Sequence, residues 1–94
     1  MKVRLSQQVV DFVSKLSPQP RRQIRHALRI LAREQGDIKA LEGELSNFYR
    51  LRIGSYRVIF RYQILHHHRI ISCEYINRRP IVYQLFAHVA YQLR

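Results

Sequence analysis

Alternating apolar and polar residues dominate the second half of the chain, and this alternation is typical of β-strands. The stretch from Phe48 to Phe60 predicts two strands joined by a tight turn. The second of them continues through Tyr56 to Leu65, and a further strand is expected from Arg69 to Ile76. Between these two strands, His66 to His68 predicts the turn of a hairpin. A short strand is also expected at Lys2 to Leu5.

A different periodicity, with apolar residues three and four positions apart, predicts two helices after the first strand. Ser6 is placed to cap the first helix, and Ser17 followed by Pro18 is a start signal for the second. The second helix is expected to run to about Arg33 or Gln35 and to stop at Gly36. Its apolar face predicts an antiparallel helical hairpin. The inward positions are Val9, Val10, Phe12, Val13 and Leu16, then Ile24, Ala27, Leu28, Leu31 and Ala32.

The segment from Asp37 to Asn47 is mostly polar and is interpreted as a connector with a short helical turn. At the other end, Pro80 to Arg94 has apolar residues at helical spacing. This last helix either packs on the sheet or awaits a partner.

These elements predict a single domain, residues 1–94, of the α+β class in the order β-α-α-β-β-β-α. An antiparallel sheet is covered on one face by the N-terminal helical hairpin. The first strand is expected beside the last or the second strand. The other face of such a sheet can remain in water, and we expect the arginines there.

Charge narrows the range of functions more than length does. The 94 residues carry 17 Lys and Arg against six Asp and Glu, a formal net charge of +11. Most of the cations are arginine, whose planar guanidinium binds phosphate in a bidentate manner. The balance favours nucleic acid or a strongly acidic protein as partner.

Other features place the chain in the cytoplasm. No apolar run approaches the roughly 18 residues of a membrane span, and the N-terminus lacks the apolar segment of a signal peptide. The single cysteine, Cys73, cannot form an internal disulfide, which fits a reducing compartment.

The candidate site is a group of arginines on the predicted sheet. Arg50, Arg52 and Arg57 are expected to project from one face with no carboxylate among them, and Arg61 falls on the same face. Arg78 and Arg79 follow at the end of the last strand, shortly before Tyr83. The group suits phosphate binding.

RNA carries its own nucleophile, the 2′-hydroxyl, so cleavage requires positioning of the strand, neutralisation of charge on the phosphorane and two proton transfers. Arginines supply the first two. Tyr83 is the candidate base, because nearby positive charge lowers the pKa of a tyrosine. Its spacing fits a structural tyrosine equally well.

Two other chemistries are weaker. Glu42 and Glu44 are a possible carboxylate pair, but no third acid or metal-ligand spacing supports them. The three histidines, His66 to His68, are adjacent in a turn and point apart, so they fit a polar turn better than a metal site. The sequence therefore predicts neither a metal nor another cofactor.

At these residues the chain resembles the RelE/ParE superfamily of bacterial toxins, and its RelE branch in particular. The resemblance is carried by Leu41 to Gly43, by Phe48 to Phe60, by Asn77 to Arg79, and by Val82 with Tyr83. It implies a RelE-like toxin of a type II toxin–antitoxin system, a metal-independent endoribonuclease that cuts messenger RNA on the ribosome and is blocked by a cognate acidic antitoxin.

The resemblance also implies roles for individual residues. Arg57 matches the arginine that stabilises the transition state, Arg78 or Arg79 a second catalytic arginine, and Tyr83 the tyrosine that activates the 2′-hydroxyl. Arg50 and Arg52 match a basic pair that is often lysine in the family, and arginine does not readily transfer protons.

Two alternatives remain open. ParE-like relatives inhibit DNA gyrase with the same fold, and a non-catalytic module would use the arginines only to bind RNA.

Overall fold

A computed structural model describes residues 1–93 of the chain; the predicted helix end at Arg94 lies outside these residues. The described part has the order β-α-α-β-β-β-β-α. Its elements are β1 (Lys2–Leu5), α1 (Gln7–Ser14), α2 (Pro18–Leu31), β2 (Asp37–Ala40), β3 (Tyr49–Ile53), β4 (Tyr56–Leu65), β5 (His68–Arg78) and α3 (Ile81–Leu93).

One five-stranded sheet, in the order β1-β5-β4-β3-β2, forms the centre of the fold. The predicted α+β class and the predicted strands are confirmed, and β1 lies beside the last strand, one of its two expected places. The sheet is mixed rather than antiparallel throughout, because β1, whose pairing the sequence left open, runs parallel to β5, with Lys2 opposite Ile70 and Leu5 opposite Cys73. The chain between β1 and β5 is long enough for such a crossover.

The interpretation of residues 37–47 as a connector is wrong for its first four residues. Asp37–Ala40 forms β2, which pairs antiparallel with β3 and gives the sheet its fifth strand. The alternation is weak there because Ile38 is its only large apolar residue. The expected helical turn is present at Gly43–Leu45.

Helices α1 and α2 cover one face of the sheet as predicted. Ser6 caps α1, since its Oγ accepts a hydrogen bond from the backbone N–H of Val9. The buried residues of this layer are Val9, Val13, Ile24, Leu28 and Leu31 from the helices and Leu51, Ile53, Tyr56, Val58, Phe60, Ile71, Cys73 and Ile76 from the strands.

Helix α2 ends earlier than expected. It stops at Leu31, and the chain reverses at Glu34, whose φ is 56°. Gly36, with φ of 125°, lies beyond that reversal, where an added Cβ would be 2.8 Å from Cδ1 of Leu51. Glycine is therefore required at this position by packing as well as by backbone conformation.

The face of the sheet that we expected in water is partly covered by α3. Phe86 of α3 packs edge-on against Phe48, with ring centroids 4.9 Å apart, and Val82 and Ala90 are buried with Ile59 of β4. Strand alternation explains this second layer, because Ile59 must face away from its buried neighbours Val58 and Phe60. Of the two predicted roles for the last helix, packing on the sheet is the one observed.

No helix within residues 1–93 is long and apolar enough to cross a membrane.

Candidate functional site

A cationic cleft of about 440 Å³ lies on the α3 side of the sheet. We call it the arginine cleft. Its charged and polar lining consists of Lys39, Glu42, Arg50, Arg52, Arg57, Arg79 and Tyr83, together with the chain at Ala40 and Leu41. Five cationic side chains thus face one carboxylate, and the cleft suits an anion.

Strand register brings four of these side chains together in two pairs. Arg52 of β3 is paired with Arg57 of β4, and Lys39 of β2 is paired with Arg50 of β3. Gly54, with φ of 58°, begins the tight turn that joins β3 to β4. This hairpin therefore fixes the spacing of the arginine pair at its end.

Arg57 is unusual among the cleft residues because it is only 6% exposed. Its Nη1 donates hydrogen bonds to the backbone oxygens of Gly54 and Tyr56, at 2.8 and 2.9 Å. Two ion pairs form within residues 1–93, and neither involves Arg57. Only carbonyl dipoles therefore balance its buried positive charge. An anion that binds beside Arg57 would supply the missing negative charge, so its binding is electrostatically favourable.

Arg79 and Tyr83 reach the cleft from the other end of the chain. The backbone N–H of Arg79 donates to the oxygen of Ser55 at 3.0 Å, which ties the end of β5 to the β3–β4 turn. Tyr83 lies in the first turn of α3, half-buried against the apolar layer beneath that helix. The structure therefore places the predicted base beside the predicted phosphate ligands.

Arg50 differs from the expectation in one respect, because a carboxylate lies beside it. Its Nη1 is 3.0 Å from Oδ1 of Asp37 and also donates to the backbone oxygen of Asp37 at 2.9 Å. Asp37 comes from β2, the strand that the sequence analysis missed. The pair orients Arg50 and offsets part of its charge.

Two predicted phosphate ligands lie outside the arginine cleft. Arg78 points to the helical-hairpin side, with its guanidinium 5.2 Å from the ring centroid of Tyr56 and Nη2 3.3 Å from that hydroxyl. Neighbouring residues of a strand face opposite ways, so Arg78 and Arg79 diverge. Arg79 alone of the two lines the cleft.

Arg61 lies on the same side of the sheet as Arg57, but beneath the end of α3. It donates to the backbone oxygen of Leu93 at 3.4 Å, lies 3.9 Å from Oε2 of Glu74, and its guanidinium is 5.8 Å from the ring centroid of Phe48. Its surroundings fit a structural role in holding α3.

Lys39 and Glu42 line the cleft and were not predicted as site residues. Lys39 was missed because its strand was interpreted as a connector. Glu42 and Glu44 do not share this cleft, because Glu44 lies beside Ala87 and Tyr91 of α3. Both Lys39 and Glu42 can transfer protons, which the cleft arginines cannot readily do.

The remaining nucleophile and metal candidates are not supported. Cys73 is buried in the helical-hairpin layer, and burial raises the pKa of its thiol to about 12. His66 and His67 form the turn between β4 and β5, as predicted. Residues 1–93 contain no group of three His, Cys, Asp or Glu side chains that could bind a metal ion.

Comparisons with known proteins add information at the level of structure. No family model and no curated sequence matches the chain. The RelE–RelB complex from Pyrococcus horikoshii matches with 29% identity and a TM-score of 0.62, over 84% of this chain and 94% of that chain.

Two further solved structures match with a TM-score of 0.68. One is the toxin–antitoxin complex RelBE2 from Mycobacterium tuberculosis, at 24% identity over 83% of this chain and 90% of that chain. The other is a YoeB/ParE toxin from Agrobacterium tumefaciens, at 16% identity over 84% of this chain and 99% of that chain. Over most of its length, therefore, this chain is similar in structure to solved RelE toxins of toxin–antitoxin complexes, and it shares the fold of the YoeB/ParE toxin.

Proposed function

We propose that the chain is the toxin of a type II toxin–antitoxin system and that it is a metal-independent endoribonuclease that cuts messenger RNA on the ribosome. The observation that carries the proposal is the arginine cleft, in which Arg57 and Arg79 lie with Tyr83. Such a cleft can hold a scissile phosphate without a metal, because guanidinium groups neutralise the charge.

Arg57 is the best-placed group to stabilise the transition state. Its burial and its two carbonyl contacts fix the guanidinium before substrate arrives. A preorganised cation in a site of low dielectric stabilises developing charge more effectively than a mobile surface cation. Arg52 and Arg79 would hold the other phosphate oxygens.

The reaction follows from the nucleophile that RNA supplies. Tyr83 is the general base that takes the proton of the 2′-hydroxyl, whose oxygen attacks the adjacent phosphorus. The bond from phosphorus to the 5′-oxygen breaks, and that oxygen keeps the electron pair and takes a proton. The products are a 2′,3′-cyclic phosphate and a 5′-hydroxyl. Lys39 is the cleft group best suited to donate this last proton, because an ammonium ion carries one at neutral pH.

A cognate acidic antitoxin is the proposed partner that inhibits the enzyme. Three of the matching structures are complexes of RelE with RelB or of the RelBE2 pair. An acidic segment seated in the arginine cleft would compete directly with phosphate. We place both proteins in the cytoplasm with the ribosome.

Mapping of RNA ends tests the proposal. Purified protein is added to translating ribosomes programmed with one messenger RNA, and DNA gyrase supercoiling is measured in parallel. We expect cuts phased with the reading frame, unchanged by EDTA at concentrations that leave the ribosome intact, and no effect on gyrase. Intact messenger RNA together with inhibited gyrase would instead support the ParE-like alternative.

A Tyr83→Phe variant separates the enzyme from the non-catalytic RNA-binding module. The phenyl ring keeps the packing of Tyr83 and removes only its hydroxyl. An enzyme that uses this hydroxyl as base should lose about 10²–10⁴-fold in cleavage rate. A module that only binds RNA should keep both its affinity and its effect on growth.

A further inference from the structure

A second cationic surface, separate from the arginine cleft, lies on helix α2. Arg22, Arg25 and Arg29 are exposed and recur at helical spacing, so they form one row along the outer face of the helix. We call this row the arginine stripe. It spans about 10 Å along the helix axis, and Arg33 continues it in the turn after α2.

The arginine stripe lies across the sheet from the cleft. Helix α2 packs through Ile24 and Leu28 against the face that carries Val58, whereas the cleft lies on the α3 side. One bound phosphate therefore cannot touch both surfaces. The stripe needs its own explanation.

The charges of α2 work against its stability. Like charges three and four residues apart on a helix repel each other. The first turn of α2 has no acidic residue, and the side chain of Ser17 makes no capping hydrogen bond. Arg29 lies in the last turn, where a cation is favourable to the helix dipole, so the unfavourable contributions are the repulsion within the row and the absence of an acid in the first turn. Residues that lower the stability of their own helix in this way are expected at functional surfaces.

The acids within the described residues make no ion pair with the arginine stripe. Neither of the two ion pairs in residues 1–93 involves α2. Five of the six acids have neighbours elsewhere: Asp11 accepts from Gln7, Asp37 pairs with Arg50, Glu42 lines the cleft, Glu44 lies beside α3, and Glu74 contacts Ser72 and Arg61. The sixth, Glu34, lies near Tyr62, whose pKa it helps to raise. An external anion is the remaining counterion.

We propose that the arginine stripe binds the phosphate backbone of structured, double-stranded RNA. The surface offers guanidinium groups on a straight, rigid scaffold. Helix α2 has no Phe, Tyr or Trp, and the exposed His26 is its only aromatic ring on which an unpaired base could stack. Choosing RNA over another polyanion rests on the proposed function, because an enzyme that acts on the ribosome meets double-stranded RNA there. The stripe would then hold the protein on RNA while the opposite face reaches the strand to be cut.

Salt-dependent binding to a blunt RNA duplex of about 20 base pairs tests this inference. The variant is Arg22→Gln/Arg25→Gln/Arg29→Gln, because glutamine has nearly the helix propensity of arginine. We expect its affinity at about 0.1 M salt to fall roughly 10- to 100-fold, and the slope of log affinity against log salt to shrink by about two to three. Circular dichroism of each variant confirms that the helices are intact.

The matched control is Lys2→Gln/Lys15→Gln/Arg69→Gln, which removes the same charge from exposed positions outside α2. We expect it to keep most of the slope. An equal loss in the control would overturn the inference, because attraction would then depend on net charge alone. The inference would also be overturned if the stripe variant bound the duplex like the wild type but lost affinity for an acidic polyglutamate peptide. The stripe would then be a binding surface for an acidic protein.

Failure of this inference and failure of the proposed function give different results. If the wild type cuts messenger RNA but the stripe variant keeps the wild-type slope, the inference is wrong and the function stands. If the wild type cuts no messenger RNA while the stripe variant alone loses duplex affinity, the function is wrong and the stripe still binds duplex RNA.

Discussion

Replacing Arg57 by methionine should remove the activity without unfolding the protein. Methionine approximates the length and volume of the aliphatic stem of arginine and carries no charge. The change deletes two hydrogen bonds from a charged donor, to the oxygens of Gly54 and Tyr56, which together contribute roughly 3–6 kcal/mol. It also removes a cation that is 6% exposed and has no carboxylate partner, and the burial of such an ion costs several kcal/mol.

These two contributions nearly cancel, so we expect the unfolding free energy of Arg57→Met to stay within about 1.5 kcal/mol of the wild type. For a chain of this size that corresponds to a change in Tm of at most roughly 12 °C. Cleavage of messenger RNA should fall about 10²- to 10³-fold, as for the loss of one preorganised charge ligand. Thermal denaturation and single-turnover cleavage on ribosomes measure the two quantities.

The expected result is a separation of activity from stability. Arg69→Met, at an exposed position where the guanidinium stacks 4.1 Å from the ring centroid of Tyr62, is the control and should change cleavage less than about threefold. A loss of more than about 3 kcal/mol in Arg57→Met would refute the reasoning, because Arg57 would then be a structural residue whose carbonyl contacts outweigh its burial cost. Full activity in a folded variant would refute the catalytic assignment.

Three further predictions concern other residues. Lys39→Ala should slow cleavage of normal RNA at least tenfold but cleave a substrate with a 5′-sulfur leaving group at nearly the wild-type rate, because a thiolate leaves without a proton; an equal defect on both substrates would refute the role of Lys39 as acid. Gly36→Ala should cost about 1–3 kcal/mol in chemical denaturation, since its Cβ would lie 2.8 Å from Leu51 Cδ1 at a φ of 125°; unchanged stability would refute this. Burial raises the pKa of Cys73 from 9.0, the value of an unperturbed thiol, to about 12 in the folded protein. The neutral thiol therefore stabilises the fold below pH 9 and progressively less up to pH 12, so Cys73→Ala should flatten the alkaline fall in stability; an identical pH profile would contradict it.

The sequence was most informative where one face of an element is buried. Val58, Phe60 and Tyr62 alternate with Arg57, Ile59 and Arg61, and each set lies on the face that the alternation predicted. A shift of one residue would bury arginines in the helical-hairpin layer, so the register of β4 is strongly specified. The helical hairpin and the hairpin of β3 and β4 were predicted for the same reason.

The sequence was less informative where pairing depends on a distant partner. Strand β2 has a single large apolar residue, Ile38. It is a strand because its backbone pairs with the edge of β3. The parallel pairing of β1 with β5 joins the two ends of the chain. Neither pairing produces a recognisable pattern in the local sequence. Because β2 was interpreted as a connector, neither Lys39 in the cleft nor the pairing of Asp37 with Arg50 was predicted.

The position of α3 determines which arginines can act together. By covering Ile59 and Phe48, the helix buries the middle of the cationic face and separates Arg61 from Arg57. Its first turn brings Tyr83 to the uncovered part, next to Arg79. The C-terminal helix thus limits the site to one cleft and supplies its only tyrosine within the described residues. A partner that displaces α3 would therefore abolish the proposed cleavage by removing Tyr83 from the arginines, even if it left every arginine accessible.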